Sequence, residues 1–302
     1  MSNVSPASHA ATARLTPPVR PEFVRETSFD KELGVVEKPL TVWERAYASA
    51  AVRKTVLLIV LALVWELYAR YLANPLLVPT FSATLEAFFA AVASGELPGK
   101  AKNSIRLLVQ GYALGLAIAL VFTTLAILTK IGNDLLETLT AMFNPLPAIA
   151  LLPLALIWFG LGDKSIMFVI VHSVLWAVAL NTHSGFKSVS PTLRMVGRNY
   201  GLGGIGYIVQ ILIPAAFPSI MTGLKIGWAF AWRTLIAAEL VFGVSSGQGG
   251  LGWYIFENRN TLNTASVFAG LLTVMAVGLL VEAVIFRIIE AKTVRRWGMQ
   301  RG

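Results

Sequence analysis

Five charged side chains stand in stretches that are otherwise almost wholly apolar: Glu66 and, at the far end, Arg70 in Thr55–Leu72, and Lys225, Arg233 and Glu239 between Ser219 and Phe242. A charge in such surroundings is costly unless water, protein or an opposite charge receives it. Lys225 lies near one end of its stretch, where a long side chain can snorkel to the membrane edge. Arg233 is too deep for that. Three fates are open to it: lining a path that lowers the barrier for an anion, pairing with Glu239 or Glu66 of another helix, or lying near the interface if the span boundaries are shifted. Glu239, six residues on, falls on a different helix face from Arg233. Prolines give a second signal. Asn144, Pro145, Pro147 and Pro153 interrupt one uncharged run, and proline in a span is tolerated only where freed carbonyls meet neighbouring helices or a wet cavity. With His172 in the next run and Trp232 beside Arg233, the candidate path residues are Asn144, Pro147, Pro153, His172, Trp232, Arg233 and Glu239.

No catalytic constellation accompanies them. The three histidines, His9, His172 and His183, form no i,i+4 metal pair. No phosphate-binding Gly-Lys-Ser/Thr motif exists, and Asp134 and Asp163 are expected in turns. Absence of cysteine removes disulfides, thiolate nucleophiles and thiolate metal sites. The expectation is no catalytic residue, no metal and no cofactor held by this chain.

The elements that must position the path are long apolar helices. Of 302 residues, 56% are hydrophobic and 14% charged, with a mean hydropathy of +0.68. Uncharged runs cover Leu107–Thr129, Thr138–Gly162, Ser165–Phe186 and Asn260–Val281, each long enough to cross ~30 Å of hydrocarbon. The expected fold class is an all-α polytopic membrane protein. A formal charge of +9 does not make it a nucleic-acid binder, because the basic residues form no stripe and the aromatics lie in apolar runs. Charges at membrane edges account for the excess, with lipid as the partner.

Read in order, residues 1–40 form a flexible cytoplasmic tail, rich in proline and without a sustained period. Residues 41–54 form an interfacial helix, opened by a capping box of Thr41 and Glu44. Residues 55–302 form the transmembrane domain. Its six spans are expected at 55–72, 107–129, 139–160, 165–181, 219–242 and 265–288. Ser82 precedes a helix too short to cross, which Gly95 and the segment 98–102 end. Residues 130–137 form a polar turn. The stretch 199–224 is uncharged but broken by Gly201, Gly203, Gly204, Gly206, Pro214 and Pro218, so 192–213 are expected as short cytoplasmic helices, with Ile205–Ile213 separate from the fifth span. An exposed Gly-rich loop, Gly243–Gly252, precedes the sixth. With the N-terminus inside, cytoplasmic segments carry sixteen Lys or Arg against six opposite, and six spans return the basic C-terminus to the same side. The expected place is the bacterial inner membrane, multi-pass, with both termini cytoplasmic.

The connection between spans four and five, about residues 187–218, is the informative one. Ser190 caps a helix begun by Pro191, Gly201 ends it, and a second short helix follows. Two such helices make a knob that another protein could push. At Gly201, Ile211, Pro214, Pro218 and Gly223-Leu224 this segment resembles the cytoplasmic loop of bacterial ABC importer permeases of the binding-protein-dependent type. The likeness is to the nitrate, sulfonate and taurine branch. It continues through Asn144-Pro145, Pro147, Pro153-Leu154, Trp158-Phe159-Gly160, Ala231-Trp232, Ala238-Glu239, Gly250-Leu251-Gly252 and Arg259. It covers about Leu61–Trp297. The family usually has Glu-Ala-Ala where this chain has Met195-Val196-Gly197, so the acid that would meet the ATPase is missing. Arg194 and Arg198 flank the gap and could offer other ion pairs.

The resemblance implies six transmembrane helices of the type I importer kind and a permease subunit that catalyses nothing. ATP and Mg would bind to a separate ABC ATPase pair beneath it, beside a second permease copy or related chain and a periplasmic solute-binding protein. Coupling would run through Arg194, Met195, Val196, Gly197, Arg198, Tyr200, Gly201, Ile211 and Pro214. The solute would be small and anionic, as nitrate, sulfonates and taurine are. Two other classes stay open: an ion-coupled secondary transporter, which would need inverted repeats and paired intramembrane acids that the sequence does not display, and a structural membrane subunit without a path.

Overall fold

The computed structural model describes residues 41–242 and 249–295, and every regular element among them is helical. The expected tail, most of the Gly-rich loop and the chain from 296 onward lie outside the described residues. Two compact units divide the chain, residues 1–56 and 57–302.

In the first unit lie α1 (Val42–Ala48) and the start of α2 (Ala50–Leu72). The capping box forms. The Thr41 N–H and hydroxyl each donate to Glu44 Oε2 at 2.8 Å, and the Glu44 N–H returns to Thr41 Oγ1 at 3.3 Å. The bond from the Thr41 backbone, then the one from its hydroxyl, holds the Glu44 carboxyl below the ordinary carboxylate range. The helix expected through residue 54 stops at Ala48, and α2 begins two residues later.

In the second unit α2 continues to Leu72. Glu66 accepts from Arg70 Nε at 2.7 Å and from the Ser82 N–H and hydroxyl at 3.0 Å each. These bonds tie α2 to α3 (Phe81–Ala93), whose cap Thr80 accepts from the Ala83 N–H. Gly95, at φ +80°, turns the chain into α4 (Glu96–Leu128). That helix starts eleven residues before the expected span. Pro98 does not stop it because it sits in the first turn, where the N–H has no helical partner to lose. The expected polar turn at 130–137 is instead the front of α5 (Lys130–Phe143), capped by Thr129 Oγ1, which accepts from the Gly132 N–H at 2.9 Å.

The third expected span is broken. Asn144 keeps helical angles and its N–H still bonds the Thr140 carbonyl at 3.0 Å, but Pro145 has no N–H to carry the ladder on, and α5 ends just before Asn144-Pro145. A 3-10 turn (Ala148–Leu151) leads into α6 (Leu152–Phe159), and the two halves meet at 89°. Gly160, at φ +72°, then opens the turn into α7 (Asp163–Ser188).

Helix α7 is the axis of the bundle. Its most apolar window is 67% buried, against 22–28% in the other long helices, and its largest interfaces are with α4 and α10. Small residues spaced by four admit it. A β-carbon on Gly111 or Gly115 of α4 would stand 2.7 Å from the Ile170 side chain or 2.8 Å from that of Val174, so these side chains of α7 lie against the α4 backbone only because the two glycines have none of their own. Tyr112 joins α4 to α10 (Ile213–Phe242) by donating to the Leu224 carbonyl at 2.8 Å.

After α8 (Pro191–Asn199) the chain runs through α9 (Gly204–Tyr207) and a π-helical turn (Ile208–Leu212) straight into α10. Ile205–Ile213 is thus not separate from the fifth span but its first turns. The π turn explains why Pro214 does not cut the helix. Pro214 has no N–H to give, and its ring would strike the carbonyl four residues back. Widening the preceding turn moves that carbonyl away. An unexpected helix, α11 (Leu251–Asn260), precedes α12 (Thr264–Leu280), which continues through a second π turn into α13 (Arg287–Glu290). Among the described residues four helices are long and apolar enough to cross a membrane, or five if the bent pair is one span; six were expected. The chain is a multi-pass, all-α membrane protein.

Candidate functional site

Three elements meet around one cavity of about 360 Å³. The corner between α5 and α6 supplies Asn144 and Pro147, α7 supplies His172 and Trp176, and α10 supplies Phe230 and Arg233. Each is there for a local reason. Pro145 and Pro147 forbid a straight helix, so the corner bends toward α7. Trp176 packs flat on Phe143, with ring centres 5.3 Å apart and planes 12° apart, and His172 stands edge-on to both. Arg233 is exposed, and its guanidinium carbon lies 5.9 Å from the Phe230 ring centre, the geometry of a cation over an aromatic face.

Arg233 is in no ion pair among the described residues. The two carboxylates considered for it are engaged elsewhere: Glu66 with Arg70 and Ser82, and Glu239 with Ser104 and the start of α11. Lys225, expected to snorkel, pairs at 2.6 Å with Glu290 of α13. A second cavity of about 260 Å³ shares Asn144 and Pro145 with the first and is otherwise lined by residues such as Glu137, Thr140 and His183. The Glu137 carboxylate also meets Lys187.

The structure brings together four of the seven expected path residues: Asn144, Pro147, His172 and Arg233. It puts the other three elsewhere. Pro153 sits in the first turn of α6, where proline starts a helix well. Trp232 is buried in the core, its indole near Gly278. Glu239, 4% exposed, accepts from the Ser104 hydroxyl at 2.8 Å and from the Gly252 N–H at 2.8 Å, while Ser104 Oγ accepts from the Leu251 N–H at 2.9 Å. These bonds satisfy the first N–H groups of α11, which have no partners within the helix. A β-carbon on Gly250 or Gly252 would stand 2.1 or 2.6 Å from Glu239 atoms, which explains both glycines of the Gly-Leu-Gly segment. Trp176 and Phe230 were missed. Trp176 falls four residues after His172, a helical spacing that could have marked it.

At the coupling segment the loop is short and braced. Ser190 caps α8, accepting from the Leu193 N–H at 3.3 Å, and Gly201 takes φ +72° beyond the helix end. Arg194 is not open for an ion pair through its whole fork: it donates to the Val189 carbonyl at 3.1 Å and to the Phe186 carbonyl, capping α7. Gly197 is buried against Tyr207 and Ile211, while Met195, Val196, Arg198 and Tyr200 are exposed. Pro214 is part of the helix rather than the loop.

A family model described as "Binding-protein-dependent transport system inner membrane component" matches residues 111–295. The chain is 31% identical over 223 residues to a putative ABC transporter permease protein of Methanocaldococcus jannaschii, covering 72% of this chain and 82% of that one. It is 30% identical over 222 residues, with the same coverage, to the putative aliphatic sulfonates transport permease protein SsuC of Escherichia coli. It is 28% identical over 243 residues to the nitrate import permease protein NrtB of Synechocystis, covering 78% and 87%.

Proposed function

The chain belongs to the family of binding-protein-dependent transport system inner membrane components and is the permease subunit of an ABC importer, and we propose that it passes a small anion of the nitrate, sulfonate or taurine kind along a path lined by Arg233. The observation that carries this reading is the exposed guanidinium, without a carboxylate partner among the described residues, in a cavity built by three elements. A cation so placed lowers the barrier for an anion in low-dielectric surroundings, yet a single one does not hold it fast. Asn144, Pro147 and His172 share that cavity and are the other path residues. Relatives named for sulfonates and nitrate support the solute class.

The permease hydrolyses nothing itself; ATP and Mg belong to a partner ATPase pair. In the proposed assembly this chain meets a second permease copy or related chain, the ATPase pair and a periplasmic binding protein in a bacterial inner membrane. Adding α2 to the four long helices and the broken pair gives six spans, with both termini cytoplasmic. Apolar side chains of α2 from Leu57 to Leu67 are mostly exposed, as a lipid-facing helix requires. The face that docks on the ATPase is α8 with the turn at Gly201, where Met195, Val196 and Tyr200 are 56%, 41% and 82% exposed.

Uptake by the assembled importer in proteoliposomes tests the reading. Arg233→Gln should leave expression, assembly and binding of the ATPase unchanged while cutting anion uptake by roughly tenfold or more. Normal uptake by a well-folded Arg233→Gln variant would overturn the role of Arg233.

A further inference from the structure

The cavity at Arg233 has aromatic walls and one cation. Phe143, His172 and Trp176 form a mutually packed cluster, and Phe230 comes from the turn of α10 just before Arg233. At about 360 Å³ the space falls within the range of sites that enclose organic ligands. Beside the wall, the Trp176 N–H and both ring nitrogens of His172 are buried without a hydrogen-bond partner among the described residues. Buried polar atoms are nearly always paired, so these three are open to a water or a bound molecule.

Resting on the reading of Arg233 as a path residue, we infer that the solute is an organic anion with a flat unsaturated body: an aromatic or heteroaromatic carboxylate or sulfonate. The negative faces of aromatic rings repel a bare inorganic anion, which leaves only Asn144, Ser173 and Thr234 beside Arg233 and His172 to replace the hydration it loses. A flat π body meets those rings in offset or edge-on contact while its charged end stays on the guanidinium. Phe230 and Arg233 lie three residues apart on α10, on one face, so they address the body and the charge of one molecule together. A polar ring atom of such a solute is also the kind of partner that the Trp176 N–H and the His172 ring nitrogens lack among the described residues.

Equilibrium binding of radiolabelled benzenesulfonate, methanesulfonate and nitrate to the permease–ATPase complex in lipid nanodiscs tests this. Benzenesulfonate should bind roughly tenfold more tightly than the other two, and Phe230→Ala should remove roughly fivefold of that advantage while leaving methanesulfonate unchanged. Arg233→Gln should weaken all three, and Arg233→Lys should restore part of the loss, which separates lost charge from lost fold. Equal binding of benzenesulfonate and methanesulfonate, both lost in Arg233→Gln, would overturn the inference and leave the anion path standing. Benzenesulfonate binding untouched by Arg233→Gln would overturn both. No saturable benzenesulfonate binding to the assembled complex would overturn the inference alone, since the uptake assay judges Arg233 independently.

Discussion

A β-carbon added to Gly197 would lie 3.0 Å from Ile211 Cγ1 and 3.1 Å from the Tyr207 ring, so α8 keeps its seat with a side chain at position 197 only if those two side chains give way by a few tenths of an ångström. This gives the departure from Glu-Ala-Ala a physical cause at its last residue: a bulky Tyr207 fills the space an alanine methyl would occupy. Gly197→Ala should therefore destabilise the seating of α8 by about 1 kcal/mol despite its better helix propensity, and Tyr207→Leu should recover the loss. Hydrogen exchange over residues 191–199 reads the effect; unchanged protection in Gly197→Ala would show the contact to be slack. The missing acid two residues earlier has no structural explanation. Glu239 makes the complementary case. Removing its carboxylate leaves the Ser104 hydroxyl and the Gly252 N–H without their acceptor, at about 1–3 kcal/mol for each buried group. Glu239→Ala should lower the thermal unfolding midpoint of the purified permease markedly, and Glu239→Gln, which keeps one acceptor oxygen, should lower it less. An unchanged midpoint in both would mean that these bonds do not hold α11. The sequence marked Glu239 as a group needing a partner, but Ser104 lies 135 residues away and only the packing of α4 on α10 and α11 brings it near.

Helices were legible where one local rule governed them. Uncharged runs placed α4, α7 and α12, Thr41 with Glu44 marked the start of α1, and Asn144-Pro145 with Pro147 marked a span that could not be straight. The errors came where two local signals competed. Gly204, Gly206, Pro214 and Pro218 read as breaks, yet a π turn absorbs the cost at Pro214 and leaves a continuous rod. Pro98 read as a stop although its position in a first turn makes it harmless. Helix α11 was hidden because its first N–H groups are satisfied by side chains from remote elements rather than by a local cap. Pro214→Ala tests the account of the rod. With the N–H restored, the widened turn can relax to α-helical pitch, which rotates α9 and the seat of α8 relative to the spans. Folded yield should stay near normal while co-purification of the ATPase falls; unchanged co-purification would mean that the π turn does not depend on Pro214.

At the level of the whole molecule, the alternation of long helices fixes which ends face which side. Leu161, 71% exposed between α6 and α7, and Tyr200, 82% exposed beyond α8, lie at opposite ends of α7. In this chain without cysteine, Leu161→Cys should react with an impermeant maleimide from outside, and Tyr200→Cys only once the inner face is opened. The reverse pattern would invert the topology. The continuous helix from Gly204 to Val241 has a further consequence. Its 38 residues span ~57 Å, and along them lie the contact with α8, the guanidinium in the cavity and the carboxylate that holds α11. If it pivots as one piece, a tilt of ~6° about its middle carries each tip ~3 Å, in opposite directions. A seesaw cannot drop at both ends. Leaning away from the cavity on the α8 side presses the α11 side closed, and leaning back reverses the two, so stiffness alone would keep the passage from leaking while a solute is inside.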